Sequence, residues 1–305
     1  MTGITFDRVI VMFKLFLSRC LAILFLLIAG GCAYLESRQG DWIFRPTETT
    51  WWGNREIPAT FVEHTVPVGA TGEFIHAWWA PVEDKNAPVM LYLHGARWNL
   101  SGSVTRIPRW NKMGFSVLAI DYRGFGKSSP RAPTEQSSYE DAEAAWAYID
   151  TIAPHRKKFI FGHSLGGAMA THLALKDAGA SGLILEATFT NISEMVKATP
   201  FGFLPVGGLI TQRFDNLDRI VNVKVPILFA HGTDDTTVPF VMSEKLFAAA
   251  TARKYFFKAE GGSHHNLTSR FYNEYASAVL THFGLHPENV NSITTTSAPV
   301  KKKES

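Results

Sequence analysis

The feature that most constrains the fold is a serine held between glycines, at the junction of a strand pattern and a helix pattern. The apolar run Phe159 to Phe161 leads into Gly162-His163-Ser164-Leu165-Gly166-Gly167-Ala168, and an amphipathic helix pattern follows. A sharp turn from strand to helix projects the serine oxygen, and its flanking positions must be glycine because side chains there would clash. The sequence therefore predicts Ser164 as a nucleophile, with the N–H of Leu165 as one donor to an oxyanion.

Short strand patterns alternate with longer amphipathic segments over residues 56–285. This alternation predicts a single α/β domain with a mostly parallel sheet of eight strands, covered by helices on both faces. Residues 191–222 interrupt it with prolines and glycines amid apolar side chains, which indicates a short helical lid. The predicted strands are residues 60–66, 73–79, 89–93, 115–120, 158–162, 182–186, 225–230 and 253–258, and the predicted helices are 139–152, 165–176, 241–250 and 267–283.

Three loops after predicted strands carry residues that suit the chemistry of a serine nucleophile. His94 and Gly95 follow a buried strand and let the chain turn tightly, so that the N–H of Ala96 can face a reacting carbonyl. A later strand ends before Asp234 and Asp235, and a carboxylate there can orient a histidine. The next strand leads into a glycine-rich loop with the paired histidines 264 and 265, which suit proton transfer near neutral pH.

Together these motifs resemble the α/β-hydrolase superfamily, and within it small-lid serine hydrolases that include depalmitoylating enzymes. The resemblance implies the α/β-hydrolase fold and a triad of Ser164, Asp235 and His264 that cleaves an ester or thioester through an acyl-enzyme. It favours Asp235 over Asp234 by the G-x-x-D-x-x-V-P spacing, and His264 over His265 as the first histidine of the loop. The motifs that carry it are His94-Gly95, Asn99-Leu100-Ser101, Asp121 to Ser128, the turn at Ser164, Glu186 to Thr190 and the Asp235 loop.

The N-terminal residues 1–31 are typical of a signal peptide, with basic residues before a short apolar run. The small residues directly before Cys32 resemble the lipobox of bacterial lipoproteins, which implies that Cys32 is an acylated anchor on the cell envelope. In the lipoprotein pattern, an aspartate directly after the cysteine usually signals retention in the inner membrane. Ala33 stands at this position, so an outer-membrane destination is preferred. An uncleaved signal anchor is the alternative. Residues 32–55 are then a tether, and the polar segment 286–305 is a disordered tail.

Several function classes are excluded or given lower rank. The small net charge of +3 does not indicate a basic surface for nucleic-acid binding. A Gly126-Lys127-Ser128 run imitates a phosphate-binding loop, but Asp121 replaces its required glycine. No metal-binding motif is present, so we expect neither cofactor nor metal, and a small-molecule or lipid-like ester as the partner. A serine peptidase of the same fold and an inactive envelope interaction protein remain as alternatives.

Overall fold

The computed structural model describes residues 6–47, 57–177, 179–200, 202–203 and 207–285, with side chains from residue 13 onward. Three apolar residues of the predicted lid, at 201, 204 and 206, lie outside the described residues. The predicted tail and residues 48–55 of the predicted tether also lie outside them.

An eight-stranded sheet forms the centre of the molecule, in the order β1-β2-β4-β3-β5-β6-β7-β8. Strand β2 is antiparallel to both of its neighbours, whereas β4 through β8 are parallel. The prediction of a mostly parallel eight-stranded sheet is therefore confirmed. The strands are β1 (Val62–Pro67), β2 (Phe74–Ala80), β3 (Val89–Leu93), β4 (Ser116–Ile120), β5 (Lys158–His163), β6 (Gly182–Glu186), β7 (Ile227–Gly232) and β8 (Lys254–Ala259).

Helices cover both faces of this sheet and bury two apolar cores. On one face the core includes Ile149 and Leu173, and on the other it includes Trp110 and Tyr275. The central strands are buried on both sides, which is why they read as continuous apolar runs. The helices are α1 (Phe6–Phe44), α2 (Ile107–Lys112), α3 (Glu135–Ile152), α4 (Gly166–Lys176), α5 (Ile192–Lys197), α6 (Asn216–Ile220), α7 (Phe240–Ala249), α8 (Leu267–Arg270) and α9 (Tyr272–Phe283), with 3-10 turns at Leu100–Ser103 and Gly207–Leu209.

Helix α1 continues through the predicted signal and into the predicted tether. It passes Cys32 without a break and ends at Phe44, whose fully buried ring packs edge-on against Phe125 and Phe214. Its segment Phe13–Phe44 has a mean hydropathy of 2.2 in its most apolar window and is long enough to cross a membrane. A signal sequence has the same length and composition, so this observation fits both interpretations of the N-terminus.

Candidate active site

The turn between β5 and α4 holds Ser164 in a backbone conformation that side chains rarely adopt. Its φ is +54°, in the left-handed region, and such strain in a non-glycine residue is common at functional sites. The N–H of Ser164 donates to the carbonyl of Glu186 at 2.9 Å, which ties the turn to β6. A Cβ on Gly162 would lie 2.6 Å from Gly167 Cα, and one on Gly166 would lie 2.6 Å from the carbonyl oxygen of the residue after β3, so both positions require glycine.

The loop after β3 passes directly against this turn. A Cβ on Gly95 would lie 3.0 Å from Ser164 Cβ, so the loop backbone approaches the serine as closely as packing allows. The predicted oxyanion residues Ala96 and Leu165 line the same cavity as Ser164. Arg97 follows with a φ of +68°, and its N–H donates to the Phe44 carbonyl at 2.6 Å. The end of α1 therefore holds the loop in place.

The carboxylate of Asp235 and the ring of His264 are joined in a buried pair. His264 Nδ1 lies 2.7 Å from Asp235 Oδ2, and Asp235 Oδ1 accepts the N–H groups of Thr237 and Val238 at 2.8 and 2.9 Å. Burial acts to raise the pKa of Asp235, but the hydrogen bonds it accepts from histidine outweigh burial and hold that pKa well below its ordinary value. Asp235 is thus ionised at neutral pH, and His264, the predicted base, lines the same cavity as Ser164.

The two rival residues have other contacts. Asp234 accepts the hydroxyl of its neighbour Thr233 at 3.3 Å on the exposed side of the loop. His265 is exposed, and its ring lies 5.9 Å from that of Trp98 at the cavity rim. The geometry thus brings Ser164, Asp235 and His264 together and places the rivals beside them.

Sequence reasoning missed His231, the penultimate residue of β7. Its fully buried ring lies with Nε2 3.1 Å from Asp235 Oδ2 and 3.0 Å from the Val238 carbonyl, while Nδ1 lies 2.6 Å from Ser243 Oγ. This network assigns the ring proton to Nε2, because both of its neighbours are acceptors. Asp235 is therefore held from two sides by histidine. A histidine at the end of an apolar strand, four residues before the acid, is the signal that could have indicated it.

His163, the residue before Ser164, holds the loop of the predicted base. Its Nε2 donates to the backbone carbonyl of His264 at 2.9 Å. Burial, and next the charge of Arg106, place the pKa of His163 well below its ordinary value, so the ring is neutral at pH 7. Nitrogens of His163, His264 and His265 lie within 4.8 Å of one another. A metal ion bound there would coordinate His264 and block its predicted role as a base.

Two cavities meet beside the serine. The larger, of about 580 Å³, is mainly apolar, and the smaller, of about 320 Å³, is bordered by three arginines. They share Ala96, Arg97, Trp98 and His265 as a common wall. The larger cavity is lined on one side by the predicted lid segment, at Ile192, Met195, Val196, Thr199, Leu209 and Ile210. Phe203, another apolar residue of the predicted lid, is 80% exposed and does not belong to this lining.

The chain is similar to a known family and to several known proteins. Residues 84–218 match the family described as serine aminopeptidase, S33. A lysophosphatidylserine lipase of Danio rerio is 33% identical over 214 residues, which cover 63% of this chain and 56% of the lipase. An uncharacterized protein of Mycobacterium tuberculosis is 29% identical over 266 residues, covering 82% of this chain and 90% of that protein. The chain thus spans little more than half the length of the lipase.

Among solved structures, an esterase of Pyrococcus furiosus superposes with a TM-score of 0.65 at 17% identity. The superposition covers 78% of this chain and 97% of the esterase. At this identity the likeness concerns the fold. The chain therefore has the α/β-hydrolase fold.

Proposed function

We propose that the protein is a serine hydrolase that cleaves a carboxylic ester or thioester of a lipid-like substrate through an acyl-enzyme on Ser164. The observation that carries this proposal is the buried hydrogen bond between His264 Nδ1 and Asp235 Oδ2, in a cavity that also exposes the strained serine. A nucleophile, a base and an acid that orients the base are the minimum set for acyl transfer.

The proposed reaction has two halves. His264 Nε2 accepts the Ser164 proton while the serine oxygen attacks the carbonyl carbon, and the N–H groups of Ala96 and Leu165 stabilise the oxyanion. The C–O or C–S bond of the substrate then breaks, and the departing alcohol or thiol takes the proton from His264. Water, deprotonated by the same ring, attacks the acyl-enzyme and releases the acid with Ser164 restored. Asp235 stabilises the imidazolium in both halves.

The two cavities support an amphiphilic substrate. The larger one is lined by aliphatic and aromatic side chains, which suits an acyl chain. Arg97, Arg106 and Arg109 border the smaller one, and Arg106 is neutralised by its ion pair with Glu186. The remaining two arginines favour a polar, anionic group on the other side of the scissile bond. The similarity to a lipase points in the same direction.

We also propose that the enzyme acts at a membrane, held by its N-terminal segment. Helix α1 is the anchor if the signal is retained, and an acylated Cys32 is the anchor if it is cleaved. Cys32 lies exposed on the helix, where a modifying enzyme can reach it. An outer-membrane location follows only from the second alternative.

The family description favours peptide hydrolysis as a second candidate. An aminopeptidase has to bind a free α-ammonium group, which calls for a carboxylate near the scissile bond. Within the part of the chain that the structure describes, the walls of the two cavities contain arginine and histidine but no aspartate or glutamate. The ester reaction is therefore preferred, and comparison of kcat/KM for an aminoacyl anilide and a fatty acyl ester distinguishes the two candidates.

A fluorophosphonate probe tests the proposed function, because only an activated serine reacts with it. Wild-type protein should be labelled on Ser164 and should hydrolyse p-nitrophenyl esters, whereas Ser164→Ala should do neither. Thr188→Ser is a suitable control, since Thr188 Oγ1 donates to the Ser164 carbonyl at 2.8 Å and a serine hydroxyl can replace it. Equal labelling of wild type and Ser164→Ala would overturn the proposal.

A further inference from the structure

One face of α1 forms part of the wall of the larger cavity. Leu35, Gln39, Trp42 and Ile43 border this cavity, and their spacing of i, i+4, i+7 and i+8 places them along a single side of a helix. A segment that served only as a membrane anchor has no need of such a face. The last turns of α1 are therefore a structural component of the substrate cavity.

Hydrogen bonds fasten this part of α1 to two elements of the site. Gln39 Nε2 donates to the Leu209 carbonyl at 2.7 Å, and Gln39 Oε1 accepts the N–H of Thr211 at 2.8 Å. The Phe44 carbonyl accepts the N–H of Arg97 in the loop beside the serine. Gln39 and Phe44 are both buried. The helix end thus joins the lid segment to the loop that carries the proposed oxyanion donor.

The cavity wall begins where the apolar run of α1 ends. No charged residue occurs between Arg19 and Glu36, and Leu35 is the last residue of this uncharged run. At 1.5 Å per residue, this uncharged run extends about 24 Å along the helix axis. The apolar length that a bilayer could cover reaches about 30 Å if the long side chains of Arg19 and Lys14 extend to the opposite membrane interface. Leu35 therefore belongs both to the apolar surface that a bilayer would cover and to the cavity lining.

We propose that α1 guides the substrate from the membrane: the acyl chain of a lipid ester slides along the Leu35 face of the helix into the larger cavity without crossing water. The inference rests on the proposed function, because it identifies the occupant of the cavity as the acyl chain of that substrate. Transfer between two apolar surroundings avoids exposing the chain to water, which gives long-chain esters in a bilayer an advantage over dispersed ones. The preferred substrate class is then a long-chain ester that resides in the bilayer.

A pair of tryptophan substitutions in the full-length protein tests this route. Leu35→Trp places an indole ring on the cavity face, and Ala33→Trp places the same side chain at nearly the same depth on the opposite, exposed face. The assay measures hydrolysis of a long-chain glycerol ester in phosphatidylcholine vesicles and of p-nitrophenyl butyrate in solution. Leu35→Trp should lower the ratio of long-chain to short-chain kcat/KM at least tenfold, whereas Ala33→Trp should leave the ratio unchanged. Identical ratios for the two variants would overturn the inference.

A second measurement remains informative if Leu35→Trp fails to fold or insert. A fluorophosphonate with a long alkyl chain and a terminal diazirine is attached to wild-type Ser164 and then irradiated. Crosslinks to peptides from residues 33–45 support the inference, and crosslinks confined to residues 190–200 overturn it. Failure of the proposed function has a different signature, since wild-type protein would then neither react with the probe nor hydrolyse either ester.

Discussion

Replacement of His231 by leucine tests whether Asp235, the acid of the proposed triad, depends on a second histidine. The substitution removes the contact of Nε2 with the ionised Asp235 at 3.1 Å, in which the ring proton is shared with the Val238 carbonyl at 3.0 Å. Hydrogen bonds to charged groups contribute about 1.5–3 kcal/mol. If this contribution is lost from the transition state, in which Asp235 stabilises the imidazolium of His264, the rate falls about tenfold to a hundredfold. The effect should fall on kcat, since His231 is not part of either cavity lining.

Steady-state hydrolysis of p-nitrophenyl butyrate, together with the low-field proton resonance of the Asp235–His264 hydrogen bond, measures this effect. His231→Gln, whose amide can donate from a position similar to Nε2, should recover most of kcat. Ser243→Ala removes the bond at the other ring nitrogen, at 2.6 Å, and a longer contact with the Thr188 carbonyl, at 3.4 Å, and should lower stability to urea with little effect on kcat. The reasoning is refuted if His231→Leu retains wild-type kcat, or if the glutamine variant is as slow as the leucine variant.

Four further predictions follow from the same geometry. Ser164→Ala should lower turnover of activated esters by about 10⁶, and retention of a tenth of the rate would exclude Ser164 as the nucleophile. His264→Ala should lose several orders of magnitude, on the scale of a removed triad member, and His265→Ala about tenfold, whereas the reverse order would assign the base to His265. Cys32→Ser should release the protein from membranes or block its processing while esterase activity persists, and tight association with residues 1–31 still attached would instead identify α1 as the anchor. Because burial lowers the pKa of His163 in the folded protein, the unfolded chain binds a proton first as the pH falls below about 6.5. The free energy of unfolding should therefore decrease by up to about 1.4 kcal/mol for each pH unit below that value. His163→Gln should flatten this slope in urea titrations from pH 7 to pH 5.

The strands could be predicted to within two residues because each is short, apolar and bounded by turn residues. One helix start was predicted less well. Helix α3 begins at Glu135 rather than Tyr139, because Thr134 accepts the N–H of Ser137 and forms a capping box that apolar periodicity does not show. The predicted helix 267–283 is divided at Phe271, where the chain turns between α8 and α9.

Local motifs place Ser164, Asp235 and His264, since each follows a predicted strand and the carboxyl ends of parallel strands meet at one edge of the sheet. The choice between His264 and His265 depends on how the glycine-rich loop turns. A Cβ on Gly232 would lie 2.9 Å from Gly262 Cα, so close backbone contact between the end of β7 and the glycine-rich loop constrains the path of the chain before the two histidines. The role of His231 depends in the same way on the curl of the loop that returns Asp235 and Val238 to the end of β7.

The end of α1 shows most clearly why local pattern is insufficient at the N-terminus. Charge, apolar run and cysteine are properties of neighbouring residues, whereas Gln39 finds its partners 170 to 173 residues further along the chain. From the sequence alone, Gln39 lies in a polar, aromatic stretch that predicts a tether, and its distant partners are not visible there. The contacts also connect the two anchoring alternatives. Cleavage before Cys32 leaves Leu35, Gln39 and Phe44 in the mature chain, so the cavity wall is retained. An acylated Cys32 would then lie three residues, or about 4.5 Å along the helix, from Leu35. Either anchor would therefore keep Leu35 close to the membrane surface, whereas the full apolar run on which the proposed lipid route is argued is present only when residues 1–31 are retained.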